Sequence, residues 1–270
     1  MDEQPAPEVP TAPRDEKFFE LMNRHLPRGF IWVMRHLPSE PRCRLCRAPY
    51  GGFGGRVMRR FGYGPSRKNP TLCNTCFEEA PMGGVEMELG VLFVDVRGFT
   101  SLTEDMAPEA VAEMLNRFYA AATKILGRSA VIDKLVGDEV MALYLPPLLS
   151  EGFEDEMLRD ALDIVAAVGY GATEAAPWLR VGVGLDVGRA YVGNVGAGEV
   201  KDFTALGDVV NTAARLQASA GAGQIVMSER LFERLSECSE TATSMSLELK
   251  GKREAEPARV IDLSGSMQAL

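Results

Sequence analysis

Histidine is nearly missing from this chain: its 270 residues hold two, His25 and His36. Chemistry over the remaining length is left to carboxylates, amides, hydroxyls and cations, which excludes histidine as base or metal ligand there. Long apolar runs are missing too, and none approaches the ~20 residues that a transmembrane helix needs. The opening stretch MDEQPAPEVPTAPRDE is acidic and proline-rich, where a signal peptide has a basic start and an apolar centre. A disordered leader over residues 1–15 of a cytoplasmic protein is the expectation. Positive charge is in deficit, with a net charge of −9, which disfavours nucleic acid as the main partner. No internal repeat is evident.

What is present divides into a small part and a large one, as the length allows. Residues 16–40 carry helical spacing of Phe18, Phe19, Leu21 and Met22, with Pro27 and Gly29 as interruptions. The FIWVM run at Phe30–Met34 fits a partner-facing helix, a membrane-surface patch, or packing on the cysteine-rich unit that follows, and the last is preferred. Four of the five cysteines form Cys43-x2-Cys46 and Cys73-x2-Cys76, and Cys238 stands apart. In a reducing compartment that spacing favours metal ligation over disulfides. Four thiolates make a closed tetrahedral Zn²⁺ site of structural type, and an iron–sulfur cluster uses the same ligands. A four-cysteine metal-binding module over residues 41–80, held by its ligands in place of a core, is expected.

Between Arg42 and Phe77 lie eight basic residues and no acidic one, which leaves the rest of the molecule at about −17. Tyr50, Phe53, Phe61 and Tyr63 interleave with Arg47, Arg56, Arg59, Arg60, Arg67 and Lys68, a pattern that invites nucleic acid. Docking of the basic module on the acidic remainder is preferred, because one small module rarely binds nucleic acid tightly. A redox-sensing role is a further option.

From Val85 the pattern alternates between strands and helices. Strands are expected at Val91–Val96, Ala130–Val136, Glu139–Leu145, Leu179–Val187, Ala190–Val195, Val200–Leu206, Gln224–Met227, Met245–Lys250 and Ala258–Leu263. Helices are expected at Pro108–Leu126, Glu154–Gly169, Asp208–Ser219 and Ser228–Leu235, with Gly188-Arg189 as a turn. The order opens βαββαβ: an α+β, ferredoxin-like core with extra C-terminal strands and helices, preceded by the small metal-stabilised module.

Two of these strands contain an acid. Asp95 interrupts VLFVDV, and Asp138 follows Gly137 in KLVGDEV. Read singly, Asp95 could cap a helix starting near Phe99, and Gly137-Asp138 is ordinary hairpin chemistry. A buried carboxylate is costly unless paired or metal-bound, and two on neighbouring strands suggest one site of hard oxygen ligands, which suits Mg²⁺. A third run, FTALGDVVNTAARL at Phe203–Leu216, ends a strand at Gly207 and starts a helix with Asp208 as its expected N-cap. Asn211 and Arg215 then share one helix face at i, i+4.

Taken in order, VLFVDVRGFT, DKLVGDEVMA, YVGNVG and FTALGDVVNTAARL resemble the class III nucleotidyl cyclase catalytic domain, the adenylate and guanylate cyclases. The resemblance spans about Gly84–Leu263 and implies a catalytic domain over residues 84–265. It implies an adenylate cyclase, a lyase that turns ATP into cyclic AMP and pyrophosphate with two Mg²⁺ (or Mn²⁺). The implied metal ligands are Asp95 and Asp138, with the Val96 backbone. Phosphates would meet Gly98, Phe99 and Thr100 at a helix start, and Lys250 in LKGK. Lys134 and Thr204 match the positions that read the purine, and the Lys-plus-Thr pair resembles the adenine-selective bacterial subclass. Asn211 matches the residue that orients the ribose, and Arg215 the arginine at the phosphates. In the family the carboxylates come from one domain and the Asn and Arg from another, so a homodimer is implied. Asp186-Val187-Gly188 stands where the family often has His-Thr-Gly, and Phe203 where Tyr is common. The competing reading is a zinc-finger-type nucleic-acid-binding or scaffolding protein with a silent, nucleotide-sensing cyclase-like domain.

Overall fold

The computed structural model describes residues 29, 33–34, 36, 41–66, 72–78, 82–149, 152–171, 176–197, 200–236, 242–247 and 255–264. The leader, Phe18–Met22, Phe30–Trp32, Arg67, Lys68, Cys238 and Lys250 lie outside them. Helix α1 (Gly52–Arg60) and the short α2 (Asn74–Glu78) belong to the cysteine module. Strand β1 (Gly83–Val96) leads into the short α3 (Phe99–Thr103) and the long α4 (Pro108–Leu126). A hairpin of β2 (Val131–Val136) and β3 (Glu139–Tyr144) follows, then α5 (Phe153–Ala167) and β4 (Val181–Ala197). The chain continues through β5 (Val200–Leu206), α6 (Asp208–Ser219), β6 (Gln224–Ser228), α7 (Glu229–Phe232), β7 (Thr243–Leu247) and β8 (Glu256–Asp262).

The strands form one sheet in the order β2-β3-β1-β4-β6-β8-β7, with β5 paired to β4. Its first four positions are those of the ferredoxin-like core. All described pairings are antiparallel except β4–β6. The run VLFV is apolar without alternation because both faces of β1 are covered. Leu92, Val94 and Val96 pack with Phe118 and Ala122 of α4 and with Met157, Ala161 and Val165 of α5. Met87, Leu89, Val91 and Phe93 pack on the other face with Val209 and Ala213 of α6 and with the cysteine module.

Three expectations fail. Leu179–Val187 and Ala190–Val195 are not separated by a turn: β4 runs through both, with Gly188 paired to Leu89 and Arg189 to Glu88. A turn there would break two pairs that the fourteen-residue β1 supplies. Asp208 is the first residue of α6, and Gly207 in its place occupies the N-cap position. The helix expected over Ser228–Leu235 is only α7, with the Ser228 hydroxyl accepting from the Leu231 N–H as its cap.

Gly184 sets how close α6 sits to the sheet. A Cβ there would stand 2.2 Å from the Gln217 backbone nitrogen and 2.4 Å from the Ala213 carbonyl oxygen. Only a residue without a side chain lets helix and strand backbones meet this way.

Candidate active site

Asp95 follows Phe93 on the module-facing side of β1, near the strand's C-terminal end. It pairs in register with Glu139, the residue after Asp138, so the β2–β3 turn is set beside it. Gly137 makes that turn at φ +62°, which glycine adopts without strain. The Tyr119 hydroxyl of α4 donates to the Gly137 carbonyl and steadies the turn from behind. Turn and site are therefore the same structure. Asp95 does not cap α3, whose N-cap position is Gly98 with no side-chain bond.

The three carboxylates here repel one another. Burial, then the charge of Asp95, pushes the Asp138 carboxyl above its ordinary value, and Glu139 is raised by burial, Asp95 and Asp138. Arg97 relieves part of this by an ion pair with Asp95, and its other arm donates to the Ala220 carbonyl at the end of α6. A divalent cation between Asp95 and Asp138 would remove the same repulsion, so this donor set fits a hard metal. Sequence reading gives neither side chain of Glu139 and Arg97 a role: Glu139 joins the site through its pairing with Asp95 across β1 and β3, and Arg97 from two residues beyond Asp95 in the same run.

Lys134 and Thr204 are brought together by β2 and β5, far apart in sequence. The Thr204 hydroxyl donates to Asp133 Oδ2 at 2.9 Å, and both Thr204 and Asp133 are buried. Next to them the Lys134 ammonium lies 3.9 Å from an Asp202 carboxylate oxygen. Asp133 is the extra residue of a β-bulge, where the register slips between Ile132 and Lys134. Bulges re-aim side chains, and here one turns an acid inward and leaves the following lysine exposed.

Asn211 and Arg215 lie on α6, exposed and half-buried respectively. Among the described residues neither side chain has a hydrogen bond or ion pair. Gly98 ends the turn that follows Asp95–Arg97, and Phe99 and Thr100 are the first residues of α3.

The thiols of Cys43, Cys46, Cys73 and Cys76 are fully buried, and their sulfurs lie within 4.8 Å of one another. Cys46 and Cys73 are 3.6 Å apart, close to the ~3.8 Å edge of a tetrahedron with Zn–S bonds of ~2.3 Å. Backbone N–H groups of Cys73 and Cys76 donate to Cys43 Sγ at 3.3 Å and Cys73 Sγ at 3.2 Å, which favours the thiolate form that a metal needs. Crowding couples the four: sulfur contacts, that from Cys46 foremost, pull the Cys43 thiol down, and those from Cys43 and Cys46 push Cys76 up. One bound cation resolves that conflict, so the set fits a metal.

The module is seated on the sheet by apolar contact more than by charge. Leu45, Tyr50, Leu72 and Phe77 share a cluster with Leu143, Val192 and Phe203, and the Phe77 and Phe203 rings lie 5.7 Å apart. Arg44 donates to the carbonyls of Arg128 and Ser129, the latter at 3.1 Å. Met34 is buried in the same cluster, which agrees with packing of the FIWVM run at that residue.

Residues 85–260 match the family model described as the adenylate and guanylate cyclase catalytic domain. The chain belongs to that family. Among solved structures it is similar to the guanylyl cyclase Cya2, at TM-score 0.61 and 24% identity over 67% of this chain and 94% of that one. The adenylyl cyclase CyaB from P. aeruginosa gives TM-score 0.57 and 26% identity over 67% of this chain and 97% of that one. Similar curated proteins include Rv1318c of Mycobacterium tuberculosis, uncharacterized, 28% identical over 87% of this chain and 40% of its own length. Another is Rv1319c of the same organism, also uncharacterized, 30% identical over 71% of this chain and 32% of its own. The chain thus spans well under half of these relatives. Both adenylyl and guanylyl cyclases occur among the structural neighbours, so likeness alone fixes a nucleotidyl cyclase domain and leaves the base to the residues. Among the described residues of this cyclase-family chain no helix is long and apolar enough to cross a membrane.

Proposed function

We propose that this cyclase domain converts ATP to 3′,5′-cyclic AMP and pyrophosphate at sites shared between two copies of the chain. The observation that carries this reading is the meeting of β2 and β5, which sets Lys134 beside the Thr204–Asp133 pair. An ammonium offers donors to a ring nitrogen that lacks a proton, as adenine's does, and a hydroxyl meets the exocyclic amino group. The side chains of Asn211 and Arg215 on α6 supply the second half of a site.

Asp95 and Asp138, with the Val96 carbonyl, would hold two Mg²⁺ or Mn²⁺. Cations bound there would lower the pKa of the ribose 3′-hydroxyl and neutralise the triphosphate. Asn211 orients the ribose so that the 3′-oxygen stands in line with the α-phosphorus. Arg215 meets the negative charge that develops as the P–O bond to pyrophosphate breaks. The backbone of Gly98, Phe99 and Thr100 and the ammonium of Lys250 hold the phosphates. A two-fold homodimer gives two equivalent sites, each taking carboxylates from one copy and Asn211 and Arg215 from its partner. Cys43, Cys46, Cys73 and Cys76 would hold Zn²⁺, and metal analysis of purified protein separates zinc from iron.

Asp95→Ala and Arg215→Ala test mechanism and assembly together. With Mn²⁺ and ATP each variant alone should fall at least about a hundredfold, roughly the cost of losing such a group. Mixed and refolded together they should recover about a quarter of wild-type activity, since half the dimers are mixed and each carries one intact site. Failure to recover would refute the shared site, and absence of cyclic product from the wild type would refute the cyclase reading.

A further inference from the structure

We infer that Asp133 is a positioning residue that makes this site choose adenine, by fixing the direction of the Thr204 hydroxyl. The inference rests on the adenylate cyclase reading above and concerns how that same site tells ATP from GTP.

A threonine hydroxyl has one proton to donate and two lone pairs to accept with. Free to rotate, it serves a donor or an acceptor equally and so cannot tell an amino group from a carbonyl. In this structure the choice is already made. The Thr204 hydroxyl donates its proton to Asp133 Oδ2 at 2.9 Å. What Thr204 has left for a ligand is lone pairs. Adenine offers an amino group at position 6 and is accepted; guanine offers a carbonyl oxygen there and meets lone pair against lone pair. Lys134 works in the same sense at the neighbouring ring nitrogen, which accepts in adenine and carries a proton in guanine. Its ammonium is tethered to Asp202 at 3.9 Å and stands on the exposed side.

The position of Asp133 is built for this. It is 2% exposed, the bulged residue of β2, immediately before Lys134. In a regular strand an acid beside an exposed lysine would point to the opposite face. The bulge turns it toward β5, where Thr204 is 6% exposed. Burial matters because water cannot compete for the Thr204 proton there, so the hydroxyl holds one orientation.

The test is the ratio of kcat/KM for ATP to that for GTP, measured on the full chain with Mn²⁺. Asp133→Asn can either accept from Thr204 or donate to it, so the hydroxyl regains its freedom and the ratio should fall by roughly tenfold, one hydrogen bond's discrimination. Thr204→Ser keeps the hydroxyl and should keep the ratio. In a Thr204→Ala background Asp133→Asn should have no further effect, because there is no hydroxyl left to orient. Should Asp133→Asn fail to fold, Asp133→Ser, smaller and able to donate as well as accept, must lower the ratio in the same way. A ratio unmoved in a folded Asp133 variant, or moved equally with and without Thr204, overturns the inference while leaving the cyclase reading intact. A wild type that makes no cyclic AMP defeats that reading instead.

Discussion

Among the described residues two places gather side chains able to ligate a metal, and they are finished to different degrees. In the cysteine module four buried sulfurs, two from the segment before α1 and two at the start of α2, already stand close around a common centre. At the end of β1, Asp95 and Asp138 are brought near one another, yet Asp95 is turned to Arg97 and keeps a quarter of its side chain exposed. The first site is complete within one chain, so its metal would be part of folding. The second is left open, and an open carboxylate pair serves a ligand that comes and goes. On the function proposed above, closed sulfur would serve structure and open oxygen chemistry in one molecule.

Removing a sulfur is the hardest test of that division. Cys46→Ser should unfold the module, because the binding energy of a structural metal adds to the apolar seat on the sheet and is lost with its ligand. Metal content should fall to near zero, and limited proteolysis should cut between residues 41 and 80. Asp95→Ala, by contrast, deletes a charge that repels Asp138, and should leave the melting temperature almost unchanged while abolishing activity. A module that stays folded without Cys46, or a domain that unfolds without Asp95, would reverse the comparison.

The link between the sites and the sheet can be strained without touching any ligand. Gly184→Ala forces a Cβ against the backbone of α6, which carries Asn211 and Arg215. Overpacking of backbone on backbone should cost at least about 2 kcal/mol, read from chemical denaturation. Activity should drop more steeply than stability, since α6 must move to make room.

How far the sequence reveals this depends on what each residue must satisfy. The apolar run of β1 and the acids near it are visible because an acid beside apolar strand residues demands a reason; Asp95 and Asp138 stand out as a pair, whereas Asp138 alone reads as hairpin chemistry, and their metal role comes with the resemblance. The limits of α4 and α6 are visible because apolar spacing and flanking residues agree at Pro108–Leu126 and Asp208–Ser219. Gly188-Arg189 misleads because turn residues also fit a strand whose partner is long enough to pair them. Asp133 carries the same signal as Asp95, an acid in an apolar strand, but its importance comes from a bulge. A bulge arises from the pairing of two strands, and VIDKLV contains no mark of it. Phe77 packing on Phe203 depends likewise on tertiary placement.

Asp160 supplies the mildest test, because its burial is answered by hydroxyls and an arginine, whereas Asp95 and Asp138 are the proposed metal ligands. It accepts hydrogen bonds from the Ser129 and Tyr144 hydroxyls, the latter at 2.8 Å, and Arg128 lies 3.7 Å away. Burial outweighs these partners and raises its carboxyl above the ordinary 3.8. A carboxyl that holds its proton more tightly folded than unfolded favours the fold fully at pH below 3.8, and loses that contribution as pH rises through the folded value. Asp160→Asn keeps an acceptor for both hydroxyls and removes the titration. Its melting temperature should therefore fall less than the wild type's across that rise, by about 3 °C or less. Added Mg²⁺ should leave the difference unchanged, whereas the same experiment on Asp138→Asn should show a loss of the Mg²⁺ response. If Asp160 answered to Mg²⁺ as Asp138 does, burial rather than an open geometry would be what selects the metal site.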